Sequence, residues 1–313
     1  MTEQILLAIG QIFGVFFVGW LVRRLGYVDE RDINRWSHVV VDFLFPLLIF
    51  HSIIKGFEPD RLPDLWPLPF IGLGIIILGA LCGVVLRRAV RSDDPNVIKT
   101  FHHFCAVNNY GYLPIIIVQS FWGTEGVAKL FFLNLGSNLG YWTIGVGLLG
   151  AVDIRKSLRH VLTPNLVALG LALFLCLTGL SRWVPEILLR VSGAAGAAAV
   201  PSILVLIGAS LYPIPELRDK RDLMYLSFVR LILLPFATVF LLMVLPIHPE
   251  VRSISIIVAI MPVSVSSTIL TRRYGGSPDF AAKAAVVTTL LSLATLPAAL
   301  LILQELTPFL VAK

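Results

Sequence analysis

Charge is what this sequence has least of: 14% of its 313 residues are Asp, Glu, Lys or Arg, 57% are hydrophobic, and the mean hydropathy is +0.87. No water-soluble fold needs so much apolar surface, so the composition excludes a soluble globular protein and implies a chain that lives in a lipid bilayer. Cysteine is scarce as well. Cys82, Cys105 and Cys176 all lie in apolar stretches without ligand-like spacing, which argues against a disulfide framework or a metal site and leaves them as packing residues. No Walker-type loop, His-Glu-x-x-His or nucleophile elbow is present, so the protein is not expected to be an enzyme and any transport must draw on a gradient. Gly72-Leu73-Gly74 and Gly145-Val146-Gly147 sit inside apolar spans with no flanking strand and read as close helix packing, not as nucleotide cradles. Low-complexity tracts, long soluble loops and aromatic-basic interleaving are missing too, so neither nucleic acid nor a cofactor is expected as a partner.

What is present instead is apolar runs. Ten stretches of roughly 17 to 25 residues are expected to cross the membrane, at about 5–22, 38–54, 68–86, 99–121, 127–150, 162–180, 195–212, 223–246, 253–271 and 282–304. Met1-Thr2-Glu3-Gln4 lacks the basic region of a cleavable signal, so the first run reads as a retained helix. With alternate loops assigned to opposite sides, 17 basic residues fall on one side and 7 on the other, and Arg230 is left inside a span. The positive-inside rule makes the richer side cytoplasmic and places both termini outside the cytoplasm. The net charge of +6 therefore reports orientation in the cytoplasmic membrane.

Two runs are interrupted at equivalent places. In the fourth, Asn108-Asn109-Tyr110-Gly111-Tyr112-Leu113-Pro114 breaks an otherwise apolar stretch; in the ninth the break is Pro262-Val263-Ser264-Val265-Ser266-Ser267. Breaking a helix in hydrocarbon strands backbone groups, which is tolerable only where protein or a polar cavity satisfies them. Paired interruptions of this kind mark the binding site of a secondary transporter. The first helix is expected to stop near Ala106 and restart near Pro114, with Pro262 playing the same part in the ninth span. Two helix N-termini that face each other at mid-membrane would attract an anion. A cut near residue 160 gives two halves, 1–160 and 161–313, of five spans each, and the odd number forces the second to be inverted. Pro46 then corresponds to Pro201 and Pro114 to Pro262, at similar intervals of 68 and 61 residues.

The residues also resemble those of the auxin efflux carrier family, which includes the plant PIN proteins and the PIN-likes. Asn109-Tyr110-Gly111-Tyr112-Leu113-Pro114 is similar to an Asn-Thr-Gly-Asn-Leu-Pro stretch of that family, and Pro46-Leu47-Leu48-Ile49-Phe50-His51 to a Pro-Leu-Leu-Ser-Phe-His in its second helix. Arg230 with Pro235, Pro262, Tyr274, Pro278-Asp279 and Leu296-Pro297 extend the likeness to the C-terminus. The resemblance implies the fold of sodium/proton antiporters and bile acid transporters: spans 1, 2, 6 and 7 as scaffold, spans 3–5 and 8–10 as a core that moves in elevator fashion. It also implies a homodimer through the scaffold, where Gly10, Gly14 and Gly19 would allow close packing. An Asp and Lys pair of the PIN third helix and the long PIN cytosolic loop have no counterpart, and the second break carries serines where PINs use other polar groups.

The expected fold class is thus an all-α membrane protein of ten helices in two inverted repeats, and the expected function is carriage of a small organic anion, a carboxylate. Asn108, Asn109, Gly111, the half-helix starts at Pro114 and Pro262, and Ser264, Ser266 and Ser267 are candidates to bind the anionic group, with Phe50 and Tyr112 against its apolar part. Asp42, His51 and Arg230 are candidates for coupling or gating. Each has a plainer reading: Asp42 at the cytoplasmic end of its span, His51 as a packing histidine, Arg230 in a structural ion pair. A sodium-coupled carrier of the bile acid type and a non-transporting ligand receptor are the alternatives.

Overall fold

The computed structural model describes residues 2–150, 162–213, 220–265 and 267–306, and among them every regular element is helical. After α1 (Thr2–Arg24), a reciprocal cap starts α2 (Glu30–Gly56). The Asp29 carboxylate accepts from the backbone N–H groups of Arg31 and Asp32, and the Asp32 carboxylate accepts from that of Asp29. The Asp32 N–H in particular holds the Asp29 carboxyl below its ordinary range. α2 begins well before the run expected at about 38–54, because hydrophobicity marks depth in the membrane whereas the cap decides where the helix starts. The same correction applies to α7 (Glu186–Ser210), whose exposed first turns carry an Arg190–Glu186 ion pair ahead of the run expected at about 195–212.

The remaining helices are α3 (Pro67–Leu86), α4 (Pro95–Ala106), α5 (Tyr112–Leu149), α6 (Pro164–Leu177), α8 (Lys220–Val244), α9 (Pro249–Ala259), α10 (Ser267–Tyr274) and α11 (Pro278–Leu306). Among the described residues, 6 helices are long and apolar enough to cross a membrane. α5 turns sharply at Gly123, whose φ of 56° is one that side chains rarely tolerate, so its first part is a short half-helix. Widened turns at Val40–Leu44 and Val229–Leu233 precede Pro46 and Pro235. Proline offers no N–H and crowds the carbonyl four residues back, and a widened turn accommodates both.

The side-chain distribution is that of a protein solvated by lipid. Phe17, Phe43, Phe70, Leu81, Phe174, Phe236 and Phe240 face outward, while Asn108, Asn109, Asn134, Lys129 and Arg230 are buried. Small residues let the helices touch along their backbones. A Cβ on Gly72 would strike the Leu133 carbonyl of α5, and one on Gly145 would press on the Val107 side chain, so one glycine of each Gly-x-Gly stretch sits at a close contact, while Gly74 and Gly147 face nothing within 4 Å. In α1, Gly19 packs within the chain against the Val205 carbonyl of α7, whereas Gly10 and Gly14 face nothing within 4 Å.

Candidate functional site

α4 ends at Ala106 and α5 begins at Tyr112; α9 ends at Ala259 and α10 begins at Ser267. The two interruptions satisfy each other. Asn108 and Val263 form an isolated antiparallel bridge, and the Asn109 N–H donates to the Pro262 carbonyl at 2.8 Å. The Asn108 side-chain amide donates to the Val258 carbonyl at 2.5 Å, which closes the C-terminal end of α9. Pro262 departs from expectation: it lies in the extended stretch five residues before α10, and its contribution is a carbonyl acceptor rather than the first turn of a helix. The run Pro262-Val263-Ser264 stays extended because its backbone groups pair across to the other break.

Asn109 carries two tasks on one side chain. Its Oδ1 accepts from the Tyr112 N–H at 3.1 Å and so caps α5, while its Nδ2 is buried with no partner. The residue is 3% exposed and lines a cavity of about 110 Å³. Asn109, Tyr110, Gly111, Tyr112 and Ile115 form one wall of that cavity, with Ser264 from the second break beside them. Phe131, Asn134 and Asn138 of α5 form another wall; Phe45 and Ile49 of α2 and Asn165, Leu166 and Leu169 of α6 complete it. No lining side chain is charged. Asn134 Oδ1 and Asn165 Oδ1 are, like Asn109 Nδ2, buried without a partner, whereas Asn138 Oδ1 accepts from the Tyr110 hydroxyl at 3.1 Å. The apolar surface is aromatic at one point, where the Phe45 and Tyr112 rings meet edge to face at 5.1 Å.

The sequence-predicted residues therefore divide. Asn109, Gly111, Tyr112 and Ser264 line the cavity. Asn108 and Pro262 hold the breaks together, and Pro114 is buried in the first turn of α5. Ser267 is buried at the start of α10 with no partner for its hydroxyl, and Ser266 lies outside the described residues. Phe50 packs in the apolar core; its neighbours Phe45 and Ile49, one turn apart, take the place expected of it. Asp42 forms a partly exposed pair with His38 at 3.2 Å, and His51 is tied to the Leu189 carbonyl of α7 at 3.0 Å. Arg230 is buried and donates to three backbone carbonyls. Asn134, Asn138 and Asn165 were not foreseen. The signal was there in part: Asn134 and Asn138 are four apart, on one face of an apolar helix.

A second polar cluster lies beyond the far end of α2. Arg61 pairs with Glu125 at 2.8 Å and with Glu250 at 2.6 Å, and Lys129 pairs with the same two carboxylates at 2.5 and 2.6 Å. The backbone at Gly56 abuts Thr124 and Glu125, so a side chain there would collide with α5 just past its turn. The cluster joins the loop after α2, the long part of α5 and the first turn of α9.

The chain is similar to known proteins over nearly its whole length. The family described as "Membrane transport protein" matches residues 4–151 and 149–300. An uncharacterized transporter of Methanothermobacter thermautotrophicus is 26% identical over 301 residues, covering 95% of this chain and 96% of its own. The uncharacterized transporter MJ1031 of Methanocaldococcus jannaschii is 23% identical over 202 residues, or 63% and 65% of the two chains. A multi-pass helical protein whose two helix breaks are laced together beside an amide-lined cavity, and which matches this family along both halves, belongs to the membrane transport protein family of the auxin efflux carriers.

Proposed function

We propose that this protein carries a small organic anion, a carboxylate, across the cytoplasmic membrane by an elevator-type displacement. The observation that carries this reading is the cavity at the two helix breaks. It presents the buried Asn109 Nδ2 donor without a partner and the start of the α5 half-helix, and no lining side chain is charged. Amides and free N–H groups at a helix N-terminus stabilise negative charge, and the rings of Phe45 and Tyr112 suit an apolar body of modest size.

In this reading α4 with the first part of α5 is one span, the rest of α5 the next, and α9 with α10 another. That completes ten spans in two inverted halves, 1–160 and 161–313. The scaffold contributes Phe45, Ile49 and Asn165 to the cavity and the core contributes Asn109, Asn134, Asn138 and Ser264, so the substrate sits on the seam along which the core slides. Both termini lie outside the cytoplasm, and Gly10 and Gly14 on the open face of α1 would serve a dimer through the scaffold.

The test is current on a solid-supported membrane carrying the purified protein, challenged with a panel of small carboxylates with and without sodium and a pH gradient. A sodium-independent current for some carboxylate is the expected result. Ligand binding in detergent with neither current nor tracer flux in liposomes would replace the carrier with a receptor, and strict sodium dependence would replace it with a symporter of the bile acid type.

A further inference from the structure

Arg230 sits in the widened turn Val229–Leu233 of α8 and is 2% exposed. An arginine buried in a membrane protein needs a counter-charge, yet among the described residues it has no carboxylate partner. Its hydrogen bonds go to backbone oxygens: Nη1 donates to Cys105 at 3.3 Å, Nη2 to Ala259 at 2.9 Å and Nε to Met261 at 3.2 Å. Cys105 is in the last turn of α4, Ala259 is the last residue of α9, and Met261 is in the break that follows. Cys105 and Ala259 thus offer carbonyls that a helix leaves unpaired at its C-terminal end, where the aligned peptide dipoles concentrate negative charge, and Met261 adds one from the unwound stretch. Two such ends, one from each break, converge on one guanidinium.

Half-helix C-termini and unwound carbonyls at paired breaks are where ion-coupled carriers hold an exchangeable sodium ion or proton. We propose that the Arg230 guanidinium is a tethered counter-cation that permanently fills this place, so that the paired breaks assemble, and the site beside them binds its anion, without any dissolved alkali cation. Two consequences follow from the chemistry. The positive charge belongs to the chain and cannot be released on the far side of the membrane, so no sodium ion is delivered from this place with each substrate. The planar fork of the guanidinium spans three carbonyls in a fixed pattern, so lysine, with one compact ammonium, is an incomplete replacement.

The experiment is thermal unfolding of the purified protein in detergent, with sodium, choline or guanidinium chloride at equal ionic strength, applied to the native chain, Arg230→Ala and Arg230→Lys. The native protein should be indifferent to the exchange of sodium for choline. Arg230→Ala should unfold earlier and recover about 5 °C in millimolar guanidinium, since a ligand that binds only the folded state stabilises by mass action; Arg230→Lys should fall between. A native protein stabilised by sodium over choline overturns the proposal, and that measurement stands even if Arg230→Ala does not fold. A folded Arg230→Ala that neither loses stability nor responds to guanidinium overturns it as well. The part concerning transport rests on the carrier reading, but the thermal readout needs no substrate. Recovery by guanidinium with no flux of any carboxylate would therefore count against the carrier reading alone.

Discussion

Beyond the end of α2, four charged side chains close into a ring in which Arg61, Glu125, Lys129 and Glu250 each have two partners; in the cavity, four carboxamides meet and three of them keep a buried atom with none. On the proposed reading, the difference separates structure from site. A polar group buried without a partner costs about 1–3 kcal/mol, and Asn109, Asn134 and Asn165 bear that cost together, in one cavity, at the only pairing of non-helical backbone among the described residues. The charged ring needs nothing from outside. The amides do, and a ligand or water must supply it.

The comparison is broken most directly at Asn109. Asn109→Ala should abolish transport, because it removes the free Nδ2 at the helix break, while the loss of the cap on α5 costs only about 1 kcal/mol of stability and leaves a folded protein. Asn109→Asp sharpens the result. It retains an oxygen to accept from Tyr112 but replaces the unpaired donor with an acceptor, so anion transport should be lost while the melting temperature stays closer to that of the native protein. Size-exclusion profiles together with flux decide between the two roles; normal flux in both variants would remove Asn109 from the site.

Asn134→Leu and Asn165→Leu come next. Each removes one unpartnered acceptor oxygen from a wall other than that of the breaks; such an oxygen takes a hydrogen bond from a donor on the substrate's body, not from its carboxylate, and loss of one neutral hydrogen bond, about 0.5–1.5 kcal/mol, weakens apparent substrate affinity about 2- to 10-fold. Because Asn134 and Asn165 leave unpaired atoms in the ligand-free protein, both leucine variants should melt no lower than the native chain, and somewhat higher if the side chain fits. A pair that lowers stability and leaves affinity unchanged would show that these amides are structural.

Glu250→Gln tests the other half of the comparison. It leaves Arg61 and Lys129 sharing Glu125, and since Lys129 is nearly buried while Arg61 and Glu125 are partly solvated, the loss is discounted to about 1 kcal/mol, or about 3 °C of melting temperature. Substrate affinity should not change. A Glu250→Gln variant with weakened affinity and normal stability would mean that the ring and the cavity are one functional unit.

How much of this was legible in the sequence follows from what each residue needed in order to be recognised. The break before α5 was legible because Asn108, Asn109 and Gly111 are poor helix formers and Pro114 fixes the restart; these are local effects. The second break was legible in place but not in shape: Pro262 looked like a helix start, whereas its carbonyl is taken by Asn109, 153 positions earlier in the chain, and only the tertiary pairing keeps it extended. Phe50 stands out in the sequence by its character, but Phe45 and Ile49 line the cavity, because helical phase is not visible in a helix apolar all round; one position is 100° of rotation. Asn165 could not have been found locally. It follows Pro164 in the first turn of α6, where an amide ordinarily reads as part of a cap, and only the packing of α6 against α2 brings it to the cavity that Asn109 lines.

Asp42 gives the smallest effect and the cleanest check on that lesson. A carboxylate inside an apolar run invites a coupling role, because burying it in hydrocarbon is costly. The cost applies only at depth, and sequence position does not report depth when the helix begins at Glu30 and widens at Val40–Leu44. The Asp42 carboxylate is 40% exposed and its partner His38 is 81% exposed, so the pair meets the solvent and contributes well under 1 kcal/mol. It does not line the cavity. Asp42→Asn should therefore leave carboxylate flux within about twofold of the native rate, since no more than a surface interaction is lost, and the pH dependence of flux should keep its form. A variant that transports at the native rate but loses its response to a proton gradient would return Asp42 to the coupling machinery, and would show that a half-exposed carboxylate outside the cavity is enough to couple protons to transport.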